Sequence, residues 1–262
     1  MITVTSAELN AWLATLLWPL ARILAVVSSA PLLGNQRLQA AVKIGLGLLI
    51  TAAVVPTLGP LPPIDPASGA GLLVLANQVA IGLAMGFAMQ LVFTAVEAAG
   101  DYAGLQMGIG FAIFYDPQSA GQTPVLGQFL GVLATLVFLA LDGHLMIVSV
   151  LAESFRTLPV AGNALSAFGW NAVAGFGARI FLAGLFLALP LVVTLLIVNL
   201  ALGVLTRAAP QLNLFAIGFP VMLAIGLLLL TAALPQWAPQ FERLVEDGLS
   251  MMAGVAGTPQ SR

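Results

Sequence analysis

Three polar residues of this sequence lie at a spacing that could suit catalysis. Asp142, His144 and Ser149 follow one another closely and are the residue types of the acid, base and nucleophile of a catalytic triad. A triad is defined by three-dimensional geometry, and polar residues are common where helices begin or end. The sequence also lacks the H-E-x-x-H, G-x-S-x-G and P-loop patterns. We therefore interpret Asp142-Gly143-His144 as a helix start or turn and expect no enzyme activity.

Arg22, Glu97 and Asp101 are charged residues inside or beside apolar runs. An arginine at the centre of a membrane helix costs about 2.5–3.5 kcal/mol on insertion scales. Arg22 is therefore a candidate buried charge, bonded to a neighbouring helix, or else its side chain snorkels to an interface. Glu97 and Asp101 share one face if their segment is helical. They suit either the ion site of a transporter or, as we favour, a solvated face at a helix end.

The composition indicates whether this chain is a soluble protein or a membrane protein. Of 262 residues, 60% are hydrophobic and 7% are charged, whereas a soluble domain carries about 25% charged residues. Eight Lys+Arg against ten Asp+Glu give no basic surface for nucleic acid. With no cysteine and one histidine, thiolate chemistry and the usual metal clusters are excluded. We expect a membrane protein with no metal and no cofactor.

The apolar residues fall into runs of the length needed to cross a bilayer, about 20 residues. Six such runs cover residues 12–33, 40–58, 72–96, 125–151, 180–205 and 212–234. Pro190 and Pro220 lie inside the last two runs and predict kinks there. In 236–252 apolar residues recur every three or four positions, which predicts a C-terminal amphipathic helix.

Glycines spaced four apart predict close packing between these helices. The pairs are Gly82/Gly86, Gly104/Gly108 and Gly127/Gly131. Small residues at this spacing let helix backbones approach where lipid supplies no hydrophobic drive. We therefore predict an all-α, multi-pass helical membrane protein of about six hydrophobic helices with kinks, forming a single membrane domain over residues 1–262.

Three segments, in order along the chain, carry a resemblance to a known family. They are Gly104-Leu-Gln-Met-Gly-Ile-Gly-Phe-Ala-Ile-Phe-Tyr-Asp-Pro-Gln118, Arg207-Ala-Ala-Pro-Gln-Leu-Asn-Leu-Phe-Ala-Ile-Gly-Phe-Pro220, and the stretch from Arg22 through Pro31-Leu-Leu-Gly34 and Val42-Lys43-Ile44-Gly45 to Pro56. Together they resemble the FliR-type proteins of type III export gates, which serve flagella and injectisomes.

The resemblance implies a function, partners and a location. It implies a component of the flagellar type III protein-export gate that helps to form and plug the channel through which flagellar subunits cross the inner membrane. The implied partners are FliP-type, FliQ-type and FlhB-type membrane proteins and unfolded flagellar substrates, without nucleic acid. The implied location is the bacterial inner membrane, in the flagellar basal body.

In that family a glycine-rich segment projects into the pore as a plug, and this chain has a matching segment. The matching residues are Gln106, Met107, Gly108, Ile109, Gly110, Phe111, Ile113, Phe114, Tyr115, Asp116 and Pro117. Glycine permits irregular backbone, and large apolar side chains can fill and dewet a constriction. The alternative is a buried re-entrant loop without a gating role.

The second matching segment predicts a structural hairpin between two helices. It contains Arg207, Pro210, Gln211, Asn213 and Pro220. Pro210 fixes its own backbone, and the amides of Gln211 and Asn213 can bond groups left unpaired at helix ends. Two other functions remain open from the residues alone, a small-molecule secondary transporter and a structural membrane scaffold.

Overall fold

The fold of this chain is built from helices. A computed structural model describes residues 6–35, 38–59, 64–109, 125–160, 167–209 and 214–255, and the regular structure within those ranges is helical. The α-helices are α1 (Ser6–Ser29), α2 (Ala40–Val54), α3 (Gly69–Gln106), α4 (Val125–Ala140), α5 (Gly143–Thr157), α6 (Ala167–Ala208) and α7 (Leu214–Val255), and a 3-10 turn, Val55–Thr57, follows α2. The predicted all-α class is confirmed.

Several helices are long and apolar enough to cross a membrane. Among the described residues there are four, Ala40–Thr57, Gly69–Gln106, Asn171–Ala208 and Ile217–Val255, or up to five if α4 and α5 together form one broken span. The prediction of a multi-pass membrane protein is confirmed. A shorter apolar stretch, Thr15–Ser29, lies within α1.

The predicted run at 125–151 is not one helix. α4 ends at Ala140 and α5 begins at Gly143, and the two are bent by 68°. The bend occurs at Asp142, whose φ of 53° is left-handed and which is the N-cap residue of α5. Aspartate is among the few residues that adopt this conformation at modest cost. The interpretation of Asp142-Gly143-His144 as a helix start is therefore confirmed, and no proline makes this bend.

Two helices are longer than their apolar runs. α3 continues to Gln106, so Glu97 and Asp101 lie within a 38-residue helix. α7 extends over 42 residues with Pro220, Pro235 and Pro239 inside it. The predicted C-terminal amphipathic segment is thus the last part of α7 and not a separate helix. Prolines are tolerated in such helices because neighbouring groups satisfy the freed backbone carbonyls.

The first compact unit comprises Met1–Leu91, Asp142–Gly177 and Val245–Arg262. In it α1 packs against α2, and α3 approaches α1 through its predicted glycine pair. A methyl group on Gly82 would collide with the carbonyl oxygen of Arg22, and one on Gly86 with the hydroxyl of Ser29. The largest side chains buried at the centre of α1 and α3 are apolar apart from Arg22: Trp18, Ile23, Ile81, Met85 and Met89.

The second compact unit comprises Val92–Leu141 and Ala178–Leu244. Phe93 makes edge-to-face contacts with Phe138 and Phe241, with ring centroids 5.3 and 5.7 Å apart. α3 and α4 approach closely where two glycines meet, because a methyl group on Gly100 would lie 2.8 Å from the Cα of Gly127. α3 therefore contacts its neighbours through glycine in this unit as it does in the first.

We predict that Gly127→Ala weakens the packing of α3 on α4. The added methyl would lie 2.8 Å from the carbonyl oxygen of Glu97, and backbone cannot yield as a flexible side chain can. Overpacking of this kind costs about 1–3 kcal/mol, which should lower the midpoint of thermal unfolding of the detergent-purified protein.

Gly203→Ala in α6 is the matched control, because a methyl there meets no atom within 4 Å. It should leave the midpoint unchanged or raise it, since alanine is favoured over glycine in a helix by about 1 kcal/mol. Equal effects of the two substitutions would show that the contact at Gly127 is unimportant.

Candidate functional site

Arg22 lies inside the first unit, fully buried. Its Nε donates to Gln78 Oε1 of α3 at 2.8 Å. Its Nη1 donates to the carbonyl oxygen and the hydroxyl of Ser154 in α5, at 2.9 and 3.1 Å. Its Nη2 donates to the carbonyl oxygen of Leu158 at 2.9 Å. Of the two alternatives for Arg22, the structure places the side chain between helices and not at an interface.

The groups around Arg22 show how its charge is accommodated with no carboxylate among the described residues. Ser154 is in the last turn of α5 and Leu158 is its C-cap residue, so the guanidinium binds carbonyls at the negative end of the helix dipole. The guanidinium carbon also lies 4.3 Å from the centre of the Phe155 ring, a favourable cation–π position. Gln78 is held in turn, since its Nε2 donates to the carbonyl of Val160 at 3.4 Å. Arg22 thus connects α1, α3 and the end of α5.

Glu97 and Asp101 do not form a solvated face at a helix end. Both side chains are partly buried and point at the glycine pair of α4, Asp101 at Gly127 and Glu97 at Gly131. A methyl on Gly131 would lie 2.7 Å from the Glu97 carboxylate. The interpretation we favoured is wrong because α3 continues past both residues and α4 packs on that face. The glycines of α4 make room for carboxylates as well as for backbone.

The segment with the plug resemblance begins with a defined helix end. α3 ends at Gln106, and Met107 donates its amide to the carbonyl of Ala103 at 2.9 Å. Gly108 has a φ of 79°, the left-handed conformation that commonly terminates a helix and that glycine adopts without strain. Its amide donates to the carbonyl of Leu105 at 3.1 Å. The chain therefore leaves the helix axis at Gly108.

Met107 is anchored at this helix end by a glycine of α7. Its side chain is fully buried and occupies the space over Gly226, where an added methyl would lie 2.7 Å from Cε and 2.8 Å from Sδ. Sequence reasoning missed Gly226. In the sequence Gly226 is a single glycine within an apolar run. Such a pattern does not indicate which distant side chain packs over the glycine.

The structure places only part of the predicted plug and hairpin. Gln106 and Ile109 are partly buried beside Met107 and Gly108. The other predicted plug residues, Gly110, Phe111, Ile113, Phe114, Tyr115, Asp116 and Pro117, lie outside the described residues. In the hairpin, Arg207 is exposed in the last turn of α6 and Pro220 is exposed in α7. Pro210, Gln211 and Asn213 lie outside the described residues.

Several helices also expose broad apolar faces. On α6 the exposed side chains are Phe181, Leu182, Leu185, Phe186, Leu189, Val193, Leu196, Ile197, Leu200, Val204 and Leu205. Asn199 is exposed within this face and Gln128 within the apolar face of α4. An exposed apolar patch of this extent needs lipid or protein to cover it, and amides within it favour protein because helices hydrogen-bond through them.

Comparison with known proteins finds relatives that match nearly the whole chain. The sequence profile of the family described as bacterial export proteins, family 1, matches residues 13–248. The chain is 44% identical over 255 residues to the flagellar biosynthetic protein FliR of Escherichia coli (strain K12), covering 97% of each. It is 43% identical over 255 residues to FliR of Pectobacterium carotovorum subsp. carotovorum, with the same coverage. It is 30% identical over 213 residues to FliR of Bacillus subtilis (strain 168), covering 80% of this chain and 82% of that one.

The helices define an integral, multi-pass membrane protein. The chain belongs to the bacterial export proteins, family 1, and within that family to the FliR group. It is accordingly a component of the flagellar type III protein-export apparatus, and the resemblance noted in the sequence is confirmed. The names of these relatives describe flagellar biosynthesis and not a chemical reaction.

We predict that Arg22→Met strongly destabilises the protein. It would remove the Arg22 donors of Gln78 Oε1 and Leu158 O, whereas Ser154 O keeps the backbone amide of Leu158. Each buried polar group left unpaired costs about 1–3 kcal/mol, so a loss of at least about 2 kcal/mol is expected in denaturant unfolding of the detergent-purified protein.

A conservative substitution at Arg22 and a control substitution at Arg156 test this prediction further. Arg22→Lys should lose less stability than Arg22→Met, because it keeps a positive charge and hydrogen-bond donors. It should still lose some, since an ammonium cannot reach all four acceptor atoms on Gln78, Ser154 and Leu158. Arg156→Met should change stability by less than about 1 kcal/mol, since Arg156 is exposed and pairs only with Glu153 at 3.3 Å among described residues. Stability unchanged by Arg22→Met would mean that the buried network contributes little.

Proposed function

We propose that this chain helps to form and plug the channel of the flagellar export gate, with the segment 106–117 as the plug. In this proposal the chain acts as one domain over 1–262, without catalysis, in the bacterial inner membrane at the flagellar basal body. It assembles there with FliP-type, FliQ-type and FlhB-type proteins, and unfolded flagellar subunits pass by the segment. The observation that carries the proposal is the helix end at Gln106, with Met107 buried on Gly226 and Gly108 left-handed.

That helix end suits the base of a plug for a physical reason. A protein-conducting channel must admit an extended polypeptide and still hold back ions when idle. A ring of apolar side chains excludes ions by dewetting, because they lose too much solvation on entry. The residues after Gly108 include Ile109, Phe111, Ile113, Phe114 and Tyr115, and they begin from a fixed residue, Met107. A substrate could displace such a segment without dislodging its anchor.

A second feature supports assembly with other membrane subunits. The apolar face of α6 and the amides Asn199 and Gln128 are exposed in the isolated chain. Helices of partner subunits would bury the apolar surface and hydrogen-bond with the two amides. Lipid tails could cover the apolar surface but could not form those hydrogen bonds. The predicted hairpin between α6 and α7 would then hold two partner-facing helices in a fixed relation.

Deleting residues 110–115 should leave the complex assembled but make it leak. The deletion removes the apolar side chains that dewet the constriction and leaves Met107 and Gly108 in place. Membrane permeability to small ions should rise in cells that carry the deletion. Assembly is checked by co-purification of the other membrane subunits with a tagged chain.

A replacement of 110–115 by six serines separates the apolar character of the segment from its length. It should leak as the deletion does, because polar side chains stay wet. Assembled complexes with wild-type permeability in both variants would leave the segment with a packing role only.

Asn213→Leu tests the hairpin independently of the plug. We expect a several-fold loss of assembled complex, because helix-end groups bonded by the amide would be left without a partner. Permeability per assembled complex should stay at the wild-type level. Leu214→Ala, at the first residue of α7, serves as a neighbouring control, and normal assembly with a leaking pore would contradict a structural role for Asn213.

A further inference from the structure

Two parts of the third resemblance segment are bonded to each other in the first unit, and the proposed function gives neither of them a role. The chain turns after α1 through Pro31-Leu-Leu-Gly34. Lys43, near the start of α2, donates from its ammonium to the carbonyl oxygen of Gly34 at 2.9 Å. This hydrogen bond ties α2 to the turn that precedes it.

The turn contains a residue in a strained backbone conformation. Leu32 has a φ of 68°, which a bulky residue adopts only at a cost. The amide of Leu33 donates to the carbonyl of Pro31 at 2.8 Å, so Leu32 is the central residue of a γ-turn with positive φ, a form that is rare and strained. Such residues persist only where the surrounding structure holds them, and they cluster in switch regions.

Three contacts of Gly34 hold the turn in this conformation. Its amide donates to the carbonyl of Ala30 at 2.8 Å. It also lies so close to α1 that an added methyl would be 2.6 Å from the carbonyl oxygen of Ser28 and 2.7 Å from that of Ala30. The third contact is the bond from Lys43. The first two are made with α1, whereas the third depends on the position of α2.

α2 is attached to α1 less closely than α3 is. The atoms nearest to a methyl on Gly47 of α2 would belong to flexible side chains, that of Leu24 first, whereas a methyl on Gly82 of α3 would meet the backbone of Arg22. An open space of about 420 Å³ between α1, α2 and α3 adjoins Lys43, so α2 has room to move. The buried residues of α2 form one narrow face: Gly47, Thr51 and Val54.

We propose that the turn 31–34 and Lys43 form a conformational device in which α2 has two positions, docked on α1 as in this structure and released from it. The bond from Lys43 to Gly34 is the latch that holds the docked position. Strain at Leu32 favours release, because the turn can relax once α2 no longer fixes Gly34. A residue in this conformation costs enough to shift such an equilibrium by about tenfold. The device involves no residue of the plug and goes beyond the proposed function.

Substitutions of two neighbouring leucines test whether Leu32 is strained. Asparagine tolerates the left-handed conformation, so Leu32→Asn should unfold at a higher temperature than Leu33→Asn in the detergent-purified full chain. Both leucines are half-buried and lose the same apolar groups, but of the two only Leu32 has a positive φ. An unfolding temperature of Leu32→Asn at or below that of Leu33→Asn would overturn the proposal.

Distances between spin labels test the two positions of α2 in the same full chain. The chain has no cysteine, so Leu49→Cys on α2 and Glu153→Cys on α5 provide two exposed labelling sites. α5 serves as the reference because Arg22 bonds it to α1. Lys43→Met should add a second distance and raise the ratio of released to docked chains by about tenfold. Lys43→Arg should retain the single distance of the wild type.

Combining Leu32→Asn with Lys43→Met separates the strain from the latch. The double variant should return to the docked distance, because the turn no longer favours release. The pair Leu73→Cys on α3 and Glu153→Cys is the control and should keep one distance in every variant, since α3 and α5 are both bonded to Arg22. One unchanged distance in Lys43→Met, or undiminished release in the double variant, would contradict the device. If Lys43→Met does not accumulate, the two asparagine variants decide.

Discussion

Contact between helix backbones at glycine is the interaction on which the rest of this structure depends. In an apolar surrounding, burying apolar side chains against each other brings little gain, so helices associate through dispersion and hydrogen bonds, which require close approach. Gly82 and Gly86 bring α3 against α1, and Gly100 with Gly127 brings α3 against α4. A methyl group at any of these glycines would force the helices apart. The position of α3 is thus set by glycines, which have no side chain.

The close approach of the helices in turn allows buried polar side chains to reach their hydrogen-bond partners on neighbouring helices. The carbonyl of Arg22 lies against Gly82, so α1 and α3 are near enough for the Arg22 side chain to reach Gln78 of α3. The same side chain then reaches the end of α5. The charge is stabilised there by helix-end carbonyls and an aromatic face. On α4, glycine makes similar room for Glu97 and Asp101. Glycines therefore determine where charged side chains can be placed between the helices of this chain.

The sequence predicted the features that depend on local pattern. Composition indicated the membrane class, and the pairs Gly82/Gly86 and Gly127/Gly131 indicated faces that pack closely. The prediction was wrong for Gly104/Gly108, because Gly104 makes only ordinary contact with Leu126 and Gly108 lies past the end of α3. The sequence did not predict the bend at Asp142, because a left-handed aspartate needs neither proline nor glycine and apolar residues continue on both sides. The length of α3 was also missed, since Glu97 and Asp101 resemble a helix end until the glycines of α4 are known to face them. The placement of Met107 on Gly226 depends on two segments far apart in sequence, which no local pattern joins.

The helix end at Gln106 places a buried residue, Met107, directly before the segment proposed as the plug. Burying a methionine side chain contributes about 1.5–3 kcal/mol relative to leaving it exposed, and Met107 is buried by the space that Gly226 leaves open. Gly108 follows immediately, in a conformation that other residues adopt only with strain. In the proposed channel, rotation about the backbone of Gly108 would cost less than withdrawing Met107 from Gly226. The segment could then yield to a passing chain while its anchor stayed in place.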